Sequence, residues 1–455
     1  MDDILQLDPA TKEDLMLYAV DTEAADETNN LFSFCNHCRT EGGEAVLQRR
    51  MDHPSSNAQS IRQTQIALQY ISANPEHFDN LPSAYLAGNT DRYLQENLPV
   101  VHQNSWIEFA PEAFSLWKGD DRFSIKIARG VELAARLLQA LELFCAQFEP
   151  SQPTGELAEL FDEMQQLLQR KDLVERPVVK SGQNFLKKMR ADQCFRLHEK
   201  PAINRLLQLV FEIDALVSLA HVTRSHGFAW PEVTEPPVSL YAEGLYHPFV
   251  TNAVANPASA DQSQRVIFLT GPNMAGKTTY LRAAATALYF AHLGMGVPAA
   301  QFRFTPVHRL LTAISLSDDL NDGISYFRAE ALRVKAVAQA VADGYRVVAI
   351  MDEPFKGTNV KDAFDASLAV LTRFAQKSDC LFLVSSHLIE LSEHLESELA
   401  IAYYYFEAQE QAKRLHFDYL IKPGVSSQRL GMRVLQEEGI FSLLDDSTSI
   451  EPNKE

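Results

Sequence analysis

Residues 265–280 read RVIFLTGPNMAGKTTY, and this stretch decides the fold of the half of the chain that contains it. The run 265–271 is apolar and of strand length, and the residues from Lys277 to His292 have a helical texture. Between them, Gly271, Pro272, Asn273, Met274, Ala275, Gly276, Lys277 and Thr278 match G-x-x-x-x-G-K-[ST] in the strand–loop–helix setting that the motif requires. Glycines let the backbone wrap closely around phosphate oxygens, and the loop N–H groups converge at a helix N-terminus. The motif predicts a triphosphate site in which Lys277 reaches the β- and γ-phosphates and the Thr278 hydroxyl binds Mg²⁺.

Outward from this loop, apolar runs of strand length recur at 345–353 (YRVVAIMDE) and 380–387 (CLFLVSSH), separated by helical stretches such as 361–376. Such runs predict parallel strands buried on both faces. The first ends in Asp352 and Glu353, where a nucleotide site in an open α/β sheet needs carboxylates. Asp352 is the expected Mg²⁺ ligand and Glu353 the expected general base for an attacking water. The second ends in Ser385, Ser386 and His387. From the residues alone His387 is open between a γ-phosphate sensor and a satisfied structural histidine. The runs 400–408 and 413–421 read as an antiparallel hairpin, and the polar residues after Asp445 as a frayed tail.

Before residue 230 the texture is helical. Apolar residues recur three and four apart over 127–148 and 203–228, with Pro201 at a helix start and Gly227 at a helix end. The chain of 455 residues has room for several domains at ~100–200 residues each. Its 46% hydrophobic and 22% charged content excludes a disordered chain. A net charge of −19 excludes attraction of nucleic acid by the overall field, so any such binding needs a local basic patch. Five cysteines are too few for a disulfide scaffold. Cys35 and Cys38 form a single C-x-x-C, open between a weak zinc motif completed by Cys194 and His198 and, the better reading, buried thiols. With no leader and no membrane span read from the sequence, the expectation is a cytoplasmic protein with no membrane partner.

Beyond these general motifs, the chain resembles the MutS family of DNA mismatch-repair ATPases. TGPNMAGKTTYLR is close to that family's phosphate loop, with Asn273 and Met274 distinctive. Residues 318–327 (DDLNDGISYF) resemble its D-D-L-x-x-G-x-S-T-F segment, MDEPFKGTNVKDA its M-D-E-x-x-x-G-T-S-x-x-D-G, and VSSHLIEL its A-T-H-x-x-E-L. GVSSQRLGMRVLQEEGI resembles its closing motif, and segments near 31–54 and 211–233 its helical core and lever. The resemblance implies ATP and Mg²⁺ as ligands, held by Gly271 to Thr279, with Thr278 and Asp352 on the metal. It implies catalytic roles for Glu353, for His387 facing the γ-phosphate, and for Ser325, which with Gly323 acts on the nucleotide of an opposite subunit. A homodimer with composite ATP sites follows from that last role.

Departures from the family pattern limit the transfer. The chain begins at the helical core, so the mismatch-reading domain is expected to be missing, and no nuclease module is expected to follow. Tyr326 and Arg328 stand where the family has threonine and methionine, and Ala253 stands where an aromatic stacks on the base, which leaves ATP against GTP open. The family's inserted DNA clamp shrinks here to about 175–183. Residues 170–205 nevertheless carry ten basic against four acidic residues. Lys180, Lys187, Lys188 and Arg190 are the expected backbone contacts to DNA, against the alternative of a solvated helix face.

The expected architecture is α + α/β: an N-terminal extension (1–27), an all-helical core and lever domain (28–236), an ABC-type P-loop ATPase domain with a mostly parallel sheet (237–445), and a flexible tail (446–455). The expected function is a DNA-binding ATPase that clamps DNA, with repair or recombination proteins as further partners. Remodelling of a protein or ribonucleoprotein partner, and a nucleotide-gated scaffold, remain as alternatives.

Overall fold

A computed structural model describes residues 3–19, 30–148, 152–175, 184–315, 326–395, 400–411 and 414–426, and a few positions between 428 and 443. Its first half runs through α1 (Pro9–Asp14), α2 (Leu31–Cys35), α3 (Glu41–Asp52), α4 (Ala58–Ala73), α5 (Ala84–Gln95), α6 (Trp106–Gly119), α7 (Asp121–Ala146), α8 (Glu156–Leu168), the single turn α9 (Lys171–Val174), α10 (Phe185–Gln193) and α11 (Lys200–Ser225). The second half alternates: β1 (Glu232–Val233), β2 (Leu240–Leu245), β3 (Asn256–Ala260), β4 (Val266–Thr270), α12 (Lys277–His292), β5 (Gln301–Phe304), β6 (Arg309–Ala313), α13 (Tyr326–Ala342), β7 (Val347–Asp352), α14 (Val360–Phe374), β8 (Cys380–Ser385) and β9 (Ile401–Tyr405), then β10 (Ala408–Gln411), β11 (Arg414–Phe417) and β12 (Lys422–Pro423).

Helix α7 starts where the Asp120 side chain accepts the Arg122 N–H, and it buries Phe123, Ile127, Val131, Ala134, Leu138, Leu141 and Cys145, a stripe spaced three and four apart. Helix α11 is apolar nearly all round because it is central, packed on α3, α4 and α8. By length and hydropathy it meets the test for a membrane span, yet 72% of its most apolar window is buried inside the protein. Its buried Asp214 accepts the Arg39 and Thr40 N–H groups and the Thr40 hydroxyl at 2.7 Å, while Thr40 in turn caps α3 through the Gly43 N–H. A Cβ on Gly43 would sit 2.3 Å from the Asp214 carboxylate, so only glycine lets these helices meet.

The main sheet has the order β12-β9-β4-β8-β7-β6, parallel at every pairing except β12 with β9. β4, β7 and β8 are buried along almost their whole length, as the continuous apolar runs require. Here the hairpin expectation is corrected. Residues 401–405 enter the main sheet parallel to β4, and only β10 and β11 pair as an antiparallel hairpin. In that position the Tyr403 ring packs edge-on against Phe268 of β4 at 5.9 Å. A second sheet has the order β1-β5-β2-β3. α12 joins the two halves: Phe290 stacks over Phe34, and the Tyr289 hydroxyl donates to Met51 O at 2.7 Å.

Residues 3–19 pack on the second half of the chain. Gln6 bridges Arg309 in parallel at the edge of the main sheet, and Asp8 pairs with Arg333 of α13. Asp14 accepts the Thr312 hydroxyl and the N–H groups of Ile314 and Ser315 at 2.5, 2.9 and 2.7 Å.

Candidate functional site

The loop between β4 and α12 depends on left-handed backbone: φ is 136° at Gly271, 68° at Met274 and 105° at Gly276. A Cβ on Gly271 would meet Phe406 O at 2.5 Å, so the turn has no room for a side chain. Lys277 is buried, and its Nζ donates to Gly271 O at 2.8 Å and Pro272 O at 3.1 Å. Burial pushes its pKa down, against the opposing pull of Glu353 and Asp352. Asn273, Met274, Gly276, Thr278 and Thr279 also face the cavity, whereas Ala275 points into the core.

The strand ends bring the carboxylates to this loop. Asp352 accepts the Thr278 hydroxyl at 2.5 Å on one oxygen and the Ser385 hydroxyl on the other. Glu353 sits at φ 53°, a conformation that costs about 1–3 kcal/mol for a side-chain-bearing residue and collects at functional sites. Its carboxylate lies 2.7 Å from His387 Nε2 and 3.7 Å from Lys277 Nζ. Burial raises the Glu353 pKa, but the His387 hydrogen bond and the His387 and Lys277 charges outweigh it and hold the carboxyl below its ordinary value. An ionised carboxylate beside the phosphate loop can accept a proton from water. The hydroxyl of Thr278 and the carboxylate of Asp352 are hard oxygen donors, the set that Mg²⁺ prefers, so these residues fit the ion.

The cavity measures about 650 Å³ and is continuous from Lys277 to Tyr246, His247, Ala253 and Tyr419. Ala253 offers no ring, but Tyr419 faces the same space, its backbone held by Asn256, which donates to Tyr419 O at 2.9 Å and accepts from Ile421 N–H at 2.8 Å. His247 is buried, and burial together with the charge of Arg282 lowers its pKa to about 4. Tyr419 was missed from sequence, although an aromatic in the run 413–421 was there to be weighed. Glu330 was missed as well. It accepts the N–H groups of Lys356 and Gly357, both at 3.1 Å, and so ties α13 to the loop after Glu353.

Residues 10–220 match the family profile of MutS domain III, and residues 267–446 match that of MutS domain V. The chain belongs to the MutS family. Domain V is the ATPase domain of that family, and in this MutS chain its match holds the phosphate loop, Asp352, Glu353, His387 and Tyr419, while Tyr246, His247, Ala253 and Asn256 of the same cavity precede it. Ser325 and Gly323 lie outside the described residues, as does Lys180.

In the segment 170–205, much of the basic excess is neutralised internally. Arg170 pairs with Glu199, Arg205 with Glu163 and Glu212, and buried Arg196 with Asp192. Arg190 lies over the Phe109 ring at 5.1 Å and donates to Gln193. Lys187 and Lys188 have no acidic partner among the described residues. For the cysteines, the described residues contain no group of three or more His, Cys, Asp or Glu side chains able to hold a metal. Cys194 instead donates weakly to Asp172 O, and burial raises the Cys35 thiol pKa.

Proposed function

We propose that this protein is a DNA-binding ATPase that couples ATP binding and hydrolysis to clamping and release of DNA. The observation that carries the reading is the meeting of Lys277, Thr278, Asp352, Glu353 and His387 at one mouth of a cavity large enough for a nucleotide. ATP gives Lys277 phosphate oxygens in place of the two loop carbonyls it now engages. Mg²⁺, held by Thr278 and Asp352, supplies neutralisation of the β- and γ-phosphate charge. Glu353 takes a proton from the water whose oxygen attacks the γ-phosphorus, as the bond to the bridging oxygen breaks and ADP departs. His387 holds the Glu353 carboxylate and faces the γ-phosphate.

Two such domains pair so that Ser325 of one subunit completes the site of the other, and the helical levers carry the closure to DNA. Lys187 and Lys188 contact the DNA backbone, which makes binding salt-dependent and indifferent to base sequence. A second reading, remodelling of a protein partner, draws support from Trp106, Ile107 and Phe114 of α6, all more than half exposed, with Phe114 packed against Phe185.

The test is ATP turnover by the purified protein with and without duplex and branched DNA, at low and moderate salt, with Glu353→Gln as control. Turnover changed by DNA, sensitive to salt and absent in the control supports the clamp. Glu353-dependent turnover indifferent to all DNA moves the reading to the protein partner.

A further inference from the structure

Ser385 ends β8 directly opposite Asp352 in the parallel β7–β8 register, and it is fully buried. Its hydroxyl donates to the Asp352 carboxylate and accepts the Glu353 N–H at 3.0 Å. One donor and one acceptor are thereby committed, so the hydroxyl has a single orientation. On the other side of Asp352, Thr278 takes the second carboxylate oxygen. The carboxylate is clamped from both ends, and its plane cannot rotate away from Thr278 without breaking the Ser385 bond.

The same hydroxyl bears on Glu353. The Glu353 N–H reaches both Ser385 O, at 3.2 Å, and Ser385 Oγ, and these are the bonds that hold the peptide preceding a left-handed residue. The A-T-H motif that this segment resembles has alanine in this position, so the hydroxyl is a departure of this chain from that pattern.

We propose that Ser385 is a positioning residue for the metal–nucleotide site: its hydroxyl presets the Asp352 carboxylate for the cation and orients the Glu353 backbone. The inference rests on the ATPase reading above for its setting, but the arrangement itself stands on the geometry of Ser385, Asp352, Thr278 and Glu353. Removing the hydroxyl frees the carboxylate to rotate, and the cation then meets a ligand that must be ordered on binding. A charge-assisted hydrogen bond lost from a buried pair corresponds to a roughly five- to tenfold weaker site.

The experiment compares the full chain with Ser385→Ala and Ser385→Thr. Binding of Mn²⁺, as a paramagnetic stand-in for Mg²⁺, is titrated in the presence of a non-hydrolysable ATP analogue, and analogue binding is titrated separately in EDTA. Mg²⁺ dependence of turnover is measured in parallel. Ser385→Ala is expected to weaken Mn²⁺ binding about five- to tenfold and to raise the Mg²⁺ concentration for half-maximal turnover similarly, while metal-free analogue binding stays within about twofold. Ser385→Thr restores Mn²⁺ affinity. Wild-type Mn²⁺ affinity in Ser385→Ala overturns the proposal. So does an equal loss of metal-free binding, because that marks general damage. If the unmodified protein binds the analogue but hydrolyses no ATP, the proposed function fails while the Mn²⁺ titrations still decide Ser385.

Discussion

His387 Nε2 stands 2.7 Å from Glu353 Oε1, and this contact does more than any other to keep the half-buried Glu353 carboxyl ionised. Glu353→Gln is expected to bind ATP normally and to lower turnover by about 100-fold or more, the range for a lost general base. His387→Ala leaves burial less opposed, so the Glu353 pKa rises. The base works only when ionised, and the acidic limb of the kcat profile should therefore move to higher pH. Unmoved pH limbs in His387→Ala would remove Glu353 from the role of base.

Tyr419 lines the same cavity as Lys277 and Ala253. Tyr419→Ala is expected to raise KM for ATP about five- to tenfold with little change in kcat, since stacking on a base is worth about 1–3 kcal/mol. Comparing ATP with GTP in both proteins measures whether Tyr419 also carries base preference.

Asp14 satisfies three donors of the segment 312–315 from a position some 300 residues away in sequence. Asp14→Ala leaves the N–H groups of Ile314 and Ser315 without a partner, at a cost of about 2–4 kcal/mol. Denaturant unfolding should show the loss, and an unchanged midpoint would mean that the N-terminal segment does not hold the sheet edge.

Among the described residues, Lys187 and Lys188 have no acidic partner, whereas Arg190 is engaged with Phe109 and Gln193. Reversing both lysines to Glu should weaken DNA binding at least tenfold and flatten its salt dependence, leaving thermal stability intact. Arg190→Glu should instead lower stability. Equal DNA affinity in the double lysine variant would dissociate this surface from DNA.

His292 is wholly buried, donating to Leu288 O at 2.8 Å and accepting the Val307 N–H at 3.0 Å, and burial depresses its pKa from 6.5 to about 4. The unfolded chain binds the proton first as pH falls, so the contribution is complete above pH 6.5 and is lost between 6.5 and about 4. The loss amounts to roughly 3 kcal/mol. Unfolding midpoints measured across that window should fall with pH, and more gently in His292→Gln.

Much of this site is legible in the chain itself. Lys277 and Thr278 open the helix that follows the glycine-rich loop, and Asp352 and Glu353 end one apolar run, so a local pattern names them and strand order brings them together. The helices are legible for the same reason, because α7 and α11 carry their apolar spacing within a single segment. Local pattern failed at 400–421, where two apolar runs looked like mutual partners and one of them found β4 instead. Nothing within 401–405 specifies a neighbour, and a strand takes whichever edge is open and buries its side chains best.

Sequence alone determined the helical texture before residue 230, the glycine-rich loop ahead of Lys277, the adjacent carboxylates Asp352 and Glu353 at one strand end, and the family. Those features rest on residues adjacent in the chain, where spacing and chemistry are read together. Tertiary structure decided that Ser385 clamps Asp352, that Tyr419 faces the same cavity as Lys277, that Asp14 secures the sheet edge, and that Arg170, Arg196 and Arg205 are spent on internal pairs. Each of these depends on groups brought together by strand register or helix packing, and a hydroxyl, a ring or a charge acquires its role only when its partner is in reach.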